Sequence, residues 1–359
     1  MDISDFDFEL PSDLIAQAPP AVRGTSRLLV LHKATGRIDD TSVDRIPDLL
    51  RPGDLLVLND TKVFPARLLG TRVPSGGGVE FLLLGHVEGD RWDALVHPGQ
   101  KLKSGSRVIF EGGQTPWPKP SRGQTPVLYG EVLERRFHGR RTVRLWVEGG
   151  GSVEDAVDAI GHVPLPPYIR RQDEAADKHR YQTVYARERG SVAAPTAGLH
   201  FTEEMLDVLG ARGIDRTAIT LHVGYGTFKP VRVSRVEAHT VDPERFTIGA
   251  EGAAVINRAL DEKRRIVAVG TTTTRVLEAV GRASHGRMTA QSGSTDLFIY
   301  PGFDFRTVGA LLTNFHLPRS SLLMLVCAFG GRSAVLAAYR EAIARRYHFY
   351  SYGDAMLIL

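Results

Sequence analysis

The chain has 359 residues, 42% hydrophobic and 24% charged, with a net charge of +4 at pH 7, which is the make-up of a globular protein long enough for two domains. Its single cysteine, Cys327, excludes an internal disulfide, and no apolar run reaches the roughly 18 residues needed to span a bilayer. The acidic start, Met1-Asp-Ile-Ser-Asp-Phe-Asp-Phe-Glu, lacks a signal-peptide core, so a cytoplasmic protein with no membrane contact is expected.

Taken in chain order, residues 28–31 and 54–58 are apolar runs that predict buried strands. From about residue 68 to 147 the pattern changes to short apolar or alternating stretches, at 79–84, 92–96, 107–110, 127–133 and 141–147, separated by glycine-rich turns. That spacing predicts a small antiparallel barrel, with the proline-rich segment 114–126 as an irregular loop within it. Beyond it, helical periods at 203–211 and 250–264 alternate with buried-strand patterns at 217–223 and 265–269, as in a layered α/β sheet. Cys327 lies in the apolar run 322–329 with no basic neighbour in sequence, so it reads as a buried small hydrophobe and not as a catalytic thiol. The expected architecture is therefore a layered α/β domain in two sequence pieces, 1–67 and 152–359, carrying an inserted antiparallel β-barrel at 68–151.

Three strand ends carry histidine. Val192-Ala-Ala-Pro-Thr-Ala-Gly-Leu-His-Phe201 sets His200 behind small residues, Thr196 and Gly198 among them, which suits a backbone wall that a flat ligand approaches closely. Tight packing accounts for the same residues. Thr202-Glu-Glu then reads as the cap and acidic first turn of a helix. Thr220-Leu-His-Val-Gly-Tyr-Gly-Thr-Phe-Lys-Pro230 brings His222, Gly224 and Thr227, and Leu312-Thr-Asn-Phe-His-Leu-Pro318 brings Asn314 and His316.

Asn59-Asp-Thr-Lys-Val-Phe-Pro-Ala-Arg67 follows directly on a strand, where open α/β sheets bind ligands, and offers Asp60, Lys62 and Arg67. An Asx turn and an ion pair at a domain junction are the competing use of these residues. Val267-Ala-Val-Gly-Thr-Thr-Thr-Thr-Arg275 reads as strand, glycine turn and helix start, with Thr271 and Thr272 suited to an anion or a ribose, or to a well-capped core helix. Neither a dinucleotide fingerprint nor a phosphate loop is present, and the histidines show no zinc spacing, so no metal and no bound cofactor are expected. Arginines cluster at 135, 136, 140, 141 and 144, at 170 and 171, and at 345 and 346, as phosphate contacts or as solvated faces. A site of histidine, arginine, carboxylate and hydroxyl groups fits proton transfer on a polar substrate.

These segments, with Phe8-Glu-Leu-Pro11, Ser26-Arg-Leu-Leu29, Gly161-His-Val-Pro-Leu-Pro-Pro-Tyr-Ile169, Tyr181-Gln-Thr-Val-Tyr185, Phe298-Ile-Tyr-Pro-Gly302 and Ser351-Tyr-Gly-Asp-Ala-Met356, resemble the S-adenosylmethionine:tRNA ribosyltransferase-isomerase family of queuosine biosynthesis nearly end to end. The resemblance implies an α/β fold with an inserted barrel, and S-adenosylmethionine as a ribosyl donor and not a cofactor. The acceptor it implies is 7-aminomethyl-7-deazaguanine in a tRNA anticodon; the products are epoxyqueuosine-tRNA, adenine and methionine. His200, His222 and His316 become candidates for proton transfer, Asp60 for the ribose hydroxyls or the amine, and Arg67 for the methionine carboxylate or an RNA phosphate. Tyr168 becomes a platform for a splayed base, followed by Arg170; a monomer is expected. One departure stands out. Where the family carries His-x-Met-His-x-Glu, this chain reads His239-Thr-Val-Asp-Pro-Glu244, with Asp242 in place of the second histidine. Retained activity is expected; a tRNA-binding protein without catalysis and an enzyme acting on a free nucleoside are the competing functions.

Overall fold

The computed structural model describes residues 1–111, 127–136, 139–228 and 231–359, so the expected loop at 114–126 lies outside the described residues. The strands are β1 (Arg27–His32), β2 (Arg37–Ser42), β3 (Leu55–Asn59), β4 (Thr61–Val63), β5 (Arg67–Val73), β6 (Gly78–Glu88), β7 (Arg91–His97), β8 (Arg107–Phe110), β9 (Leu128–Arg135) and β10 (Arg140–Val147). They continue as β11 (Glu188–Ser191), β12 (Asp215–Leu221), β13 (Glu244–Ile248), β14 (Ile266–Val269), β15 (Gln291–Thr295), β16 (Ala310–Asn314) and β17 (Ala355–Ile358). The helices are α1 (Ile46–Leu49), α2 (Val153–Ile160), α3 (Asp177–Arg180), α4 (Glu203–Ala211), α5 (Ala250–Asp261), α6 (Thr271–Ala283), α7 (Ser321–Gly330) and α8 (Arg332–Ala344).

A nine-stranded sheet runs β15-β13-β12-β3-β14-β16-β17-β1-β2. Its centre, β12-β3-β14-β16, is parallel, and β17 turns back antiparallel to β16. Consecutive apolar residues are needed there because both faces are covered. Leu55, Val57, Ile266 and Ala268 pack on one side with residues of α5 to α8, while Leu56, Leu58, Val267 and Val269 pack on the other with Ile46 of α1 and Met205, Leu206 and Leu209 of α4. Cys327 is buried on α7, and burial pushes its thiol up to about 12, which leaves it protonated and inert. Thr202 caps α4 by accepting from the Met205 amide at 3.1 Å. The helix expected over 250–264 stops at Asp261, because Lys263 takes φ 55° and the Arg264 amide folds back onto the Ala259 carbonyl at 2.8 Å.

The barrel closes in the order β10-β7-β6-β5-β8-β9. Its inward residues alternate along each strand, and the Phe81 and Phe110 rings meet edge to face at 5.1 Å in its centre. Gly70 makes room for them, since a Cβ there would lie 2.5 Å from Phe110 Cδ1. Ala156, Val157 and Ile160 of α2 complete the barrel core. Among the described residues no single helix is long and apolar enough to cross a membrane, and no group of three or more His, Cys, Asp or Glu side chains is placed to hold a metal ion.

Candidate active site

Because β12, β3, β14 and β16 are parallel, the segments that follow them leave the sheet on one edge, and the residues leading into antiparallel β17 arrive at that edge. His222 follows β12, Asp60 and Lys62 follow β3, Gly270 to Thr272 follow β14, His316 follows β16, and Ser351 precedes β17. Two adjoining cavities open there.

The smaller cavity, about 70 Å³, is lined by the small residues 193–197 and by Thr271, Thr272, Asn314, His316 and Tyr168. Gly270 adopts φ 91°, which turns the chain from β14 into α6. Within the threonine run, Thr273 and Thr274 donate back to the carbonyls of Val269 (2.7 Å) and Gly270 (3.1 Å), so Thr271 and Thr272 are the pair that faces the cavity. Asn314 Nδ2 donates to the Tyr350 carbonyl at 2.9 Å, while its Oδ1 has no partner among the described residues. Tyr168 bonds Ser351 through its hydroxyl and stacks on Tyr350 at 4.2 Å, so one ring face is already covered. His316 accepts or donates at Nε2 with Thr313 Oγ1 (2.8 Å), and burial pushes its imidazole down, keeping it neutral.

The larger cavity, about 350 Å³, lies between the sheet edge and the barrel and shares Val223, Thr227 and Leu322 with the smaller one. His222 lines it, with Nδ1 2.8 Å from Thr61 Oγ1. Burial and the Arg245 charge lower its pKa, against the opposing pull of Glu188 and Asp60. Gly190 lies flat against the ring, where a Cβ would come within 2.7 Å of it. Gly224, Thr227 and Glu244 form one unit: Glu244 Oε1 accepts from the Gly224 amide at 2.8 Å and from Thr227 Oγ1 at 3.3 Å. Its Oε2 pairs with Arg275 from α6, in a bridge that is all but closed to solvent. Burial brings the Arg275 guanidinium down to about 10, so it remains charged at neutral pH. Asp242, the residue that departs from the family pattern, accepts from Arg140 of β10 at 3.0 Å and so links sheet and barrel across the cavity.

The other nominated residues lie apart from these cavities or are engaged. Asp60 is buried, and its carboxylate accepts from Thr220 Oγ1 at 2.6 Å and pairs with Arg187 at 2.8 Å. Lys62 is exposed on β4. Arg67 pairs with Glu80 at 2.9 Å and lines, with Arg170, a separate cleft beside the proline segment 164–167. Gly198 serves packing, since a Cβ would collide with Tyr185 Oη at 2.1 Å. His200 sits behind the small cavity, lining a narrow rear cleft with Arg23 and Ser351. Burial drives its imidazole from 6.5 down to about 4, with the Asn314 amide pulling the other way, and its Nε2 has no partner among the described residues. Arg141, grouped above with phosphate-contact candidates, is buried with its guanidinium on the carbonyls of Arg140 and Gly99. Glu244 and Arg275 were not singled out as site residues, although both lie at the ends of segments that were.

The pattern of the family described as "Queuosine biosynthesis protein" matches residues 3–358. The chain belongs to that family. Among its relatives, the S-adenosylmethionine:tRNA ribosyltransferase-isomerase of Symbiobacterium thermophilum is 49% identical over 359 residues, covering 100% of each chain. The protein of the same name from Anaeromyxobacter sp. is 51% identical over 361 residues, covering 100% of this chain and 99% of that one. The crystal structure of the S-adenosylmethionine tRNA ribosyltransferase of Thermotoga maritima is 36% identical, covers 99% of this chain and 100% of that one, and superposes with a TM-score of 0.54. The fold expected for the family, an α/β sheet with a closed antiparallel barrel, is the one observed. The relatives carry an enzyme's name, and none of these comparisons favours a chain that only binds tRNA.

Proposed function

We propose that the chain is a cytoplasmic S-adenosylmethionine:tRNA ribosyltransferase-isomerase that moves the ribosyl group of S-adenosylmethionine onto 7-aminomethyl-7-deazaguanine at the wobble position of a tRNA, releasing adenine and methionine. The observation that carries the reading is the pair of joined cavities at the sheet edge, one small and lined by the small residues 193–197, one larger and bordered by His222, Glu244 and Arg275, sharing Val223, Thr227 and Leu322. Two substrates that must exchange a sugar need adjoining places. The small cavity suits the flat adenine, with Thr271, Thr272 and Asn314 as polar partners; the larger cavity suits the modified base.

The reaction needs a base for the ribose C5′ proton, which the neighbouring sulfonium acidifies, and His222 is the group we assign to it. With Thr61 Oγ1 donating to Ser191 Oγ (2.9 Å), the His222 Nδ1–H donates to Thr61, and Nε2 carries the free lone pair. Its lowered pKa keeps that lone pair available at neutral pH. His316, neutral beside the small cavity, is the group for hydrogen bonding to departing adenine, and His200 supports that wall from behind. Adenine release by the purified chain, measured with tRNA bearing the aminomethyl-deazaguanine and with the same tRNA bearing guanine, tests the reading. Release with the deazaguanine tRNA alone is expected. A folded protein that releases adenine with neither refutes it.

A further inference from the structure

The larger cavity does not end at His222. It continues into an open groove of about 750 Å³ that shares Gly85, His86, Gly190, His222 and Arg245 with it and runs out between the barrel and the far edge of the sheet. On the barrel side the groove meets Gly85, His86 and Trp92; on the sheet side it meets Arg245 and Thr247 of β13 and Ser292, Gly293 and Ser294 of β15. Strand β15 is the last of the sheet, so its outer amides have no neighbouring strand among the described residues.

The charges in this groove are uneven. Arg189 is already matched, paired with Asp158 at 2.6 Å and lying over the Phe64 ring at 4.9 Å. Glu154 is the acidic side chain among the groove's lining residues. Arg245 is exposed and has no carboxylate within salt-bridge distance among the described residues. Its guanidinium reaches across from β13 to the barrel, where a Cβ on Gly85 would lie 3.1 Å from Nη2, so the cation lies close along the barrel wall of the groove. A free guanidinium, the Ser294 hydroxyl beside the mutually bonded Thr247 and Ser292 hydroxyls (2.9 Å), exposed strand amides and small residues that leave room are a donor set suited to a phosphodiester chain. The proline-side cleft shares only Tyr225 with the larger cavity, and although Arg67 and Arg171 there are tied to carboxylates, Arg170 is exposed, so it is the cleft's distance from His222 that sets it aside.

We infer that this groove carries the single-stranded RNA backbone flanking the modified nucleotide, with Arg245 as a phosphate contact next to the site. The inference rests on the ribosyl-transfer reading and adds to it the path of the substrate. Each phosphate contact removed from a single strand lowers the slope of log K against log salt by about 0.7. Titrating tRNA onto the wild type, Arg245→Gln and Arg245→Lys by fluorescence anisotropy, from about 50 to about 300 mM KCl, reads that slope. Arg245→Gln is expected to weaken binding several-fold and to flatten the slope by about 0.7, whereas Arg245→Lys keeps the slope because it keeps the charge. Arg258→Gln, on the exposed side of α5 away from the groove, is the control expected to leave both unchanged. An Arg245→Gln slope equal to the wild type's, or a loss equal to that of Arg258→Gln, overturns the groove while adenine release by the wild type still stands for the enzyme. A wild type that neither binds tRNA nor releases adenine overturns both.

Discussion

Replacing Glu244 by Ala removes three interactions at once: the bridge to Arg275, the acceptor for the Gly224 amide and the acceptor for the Thr227 hydroxyl. The Glu244 and Arg275 side chains are 6% and 9% exposed, so water screens the lost attraction little. Leaving one buried charge unpaired costs about 3–5 kcal/mol. The Gly224 amide adds little to this, because it borders a cavity that water can reach. The expected loss in urea unfolding is therefore about 3–5 kcal/mol for Glu244→Ala. Adding Arg275→Met removes the stranded guanidinium and should return a large part of that loss, because an apolar side chain tolerates the same burial. At the site, the turn at Gly224 to Thr227 lines the larger cavity and reaches the smaller one through Thr227, so the double variant should regain stability without regaining substrate affinity. A loss below about 1 kcal/mol for Glu244→Ala, or a double variant no more stable than the single one, would refute the reasoning.

Acid stability follows from the buried histidines. The folded pKa of His200, about 4, lies below its unfolded 6.5, so the unfolded chain takes up the proton first and stability falls as pH drops from 6.5 to about 4, by about 3 kcal/mol in all. Above pH 6.5 that contribution is fully present; His222 and His316, also lowered, act in the same sense. Urea midpoints against pH for the wild type and His200→Gln check this, and parallel profiles would count against it. Asp242→His loses the bond to Arg140, but with the two side chains 33% and 39% exposed it should change stability by no more than about 1 kcal/mol and leave adenine release intact. A loss above about 2 kcal/mol in denaturation would show that Asp242 carries more of the contact between sheet and barrel than that exposure allows.

The local run of residues determined the layers. Unbroken apolar stretches as short as 28–31 and 266–269 fit strands buried on both faces, where the longer run 322–329 fits a buried helix, and alternating ones such as 92–96 fit strands with one inward face. His222 and His316 were legible for the same reason, since polar residues directly after a buried strand must emerge at a sheet edge; His200, expected at a third strand end, instead closes the 3-10 turn Thr196–His200. Polar edge strands were not: Arg37–Ser42 and Gln291–Thr295 pair through backbone and polar side chains, such as Arg27 with Asp40 and Thr247 with Ser292, and leave no apolar period. Nor was the grouping of side chains. Glu244 meets Arg275 across 31 residues and Asp242 meets Arg140 across 102, because strand order puts β13 beside β12 and faces it to the barrel. The same tertiary pairing engaged Asp60 with Thr220 and Arg187, buried Arg141 and set His200 behind the cavity wall. Periodicity reports which face of an element is apolar, whereas which charge finds which partner depends on contacts that only the folded chain makes.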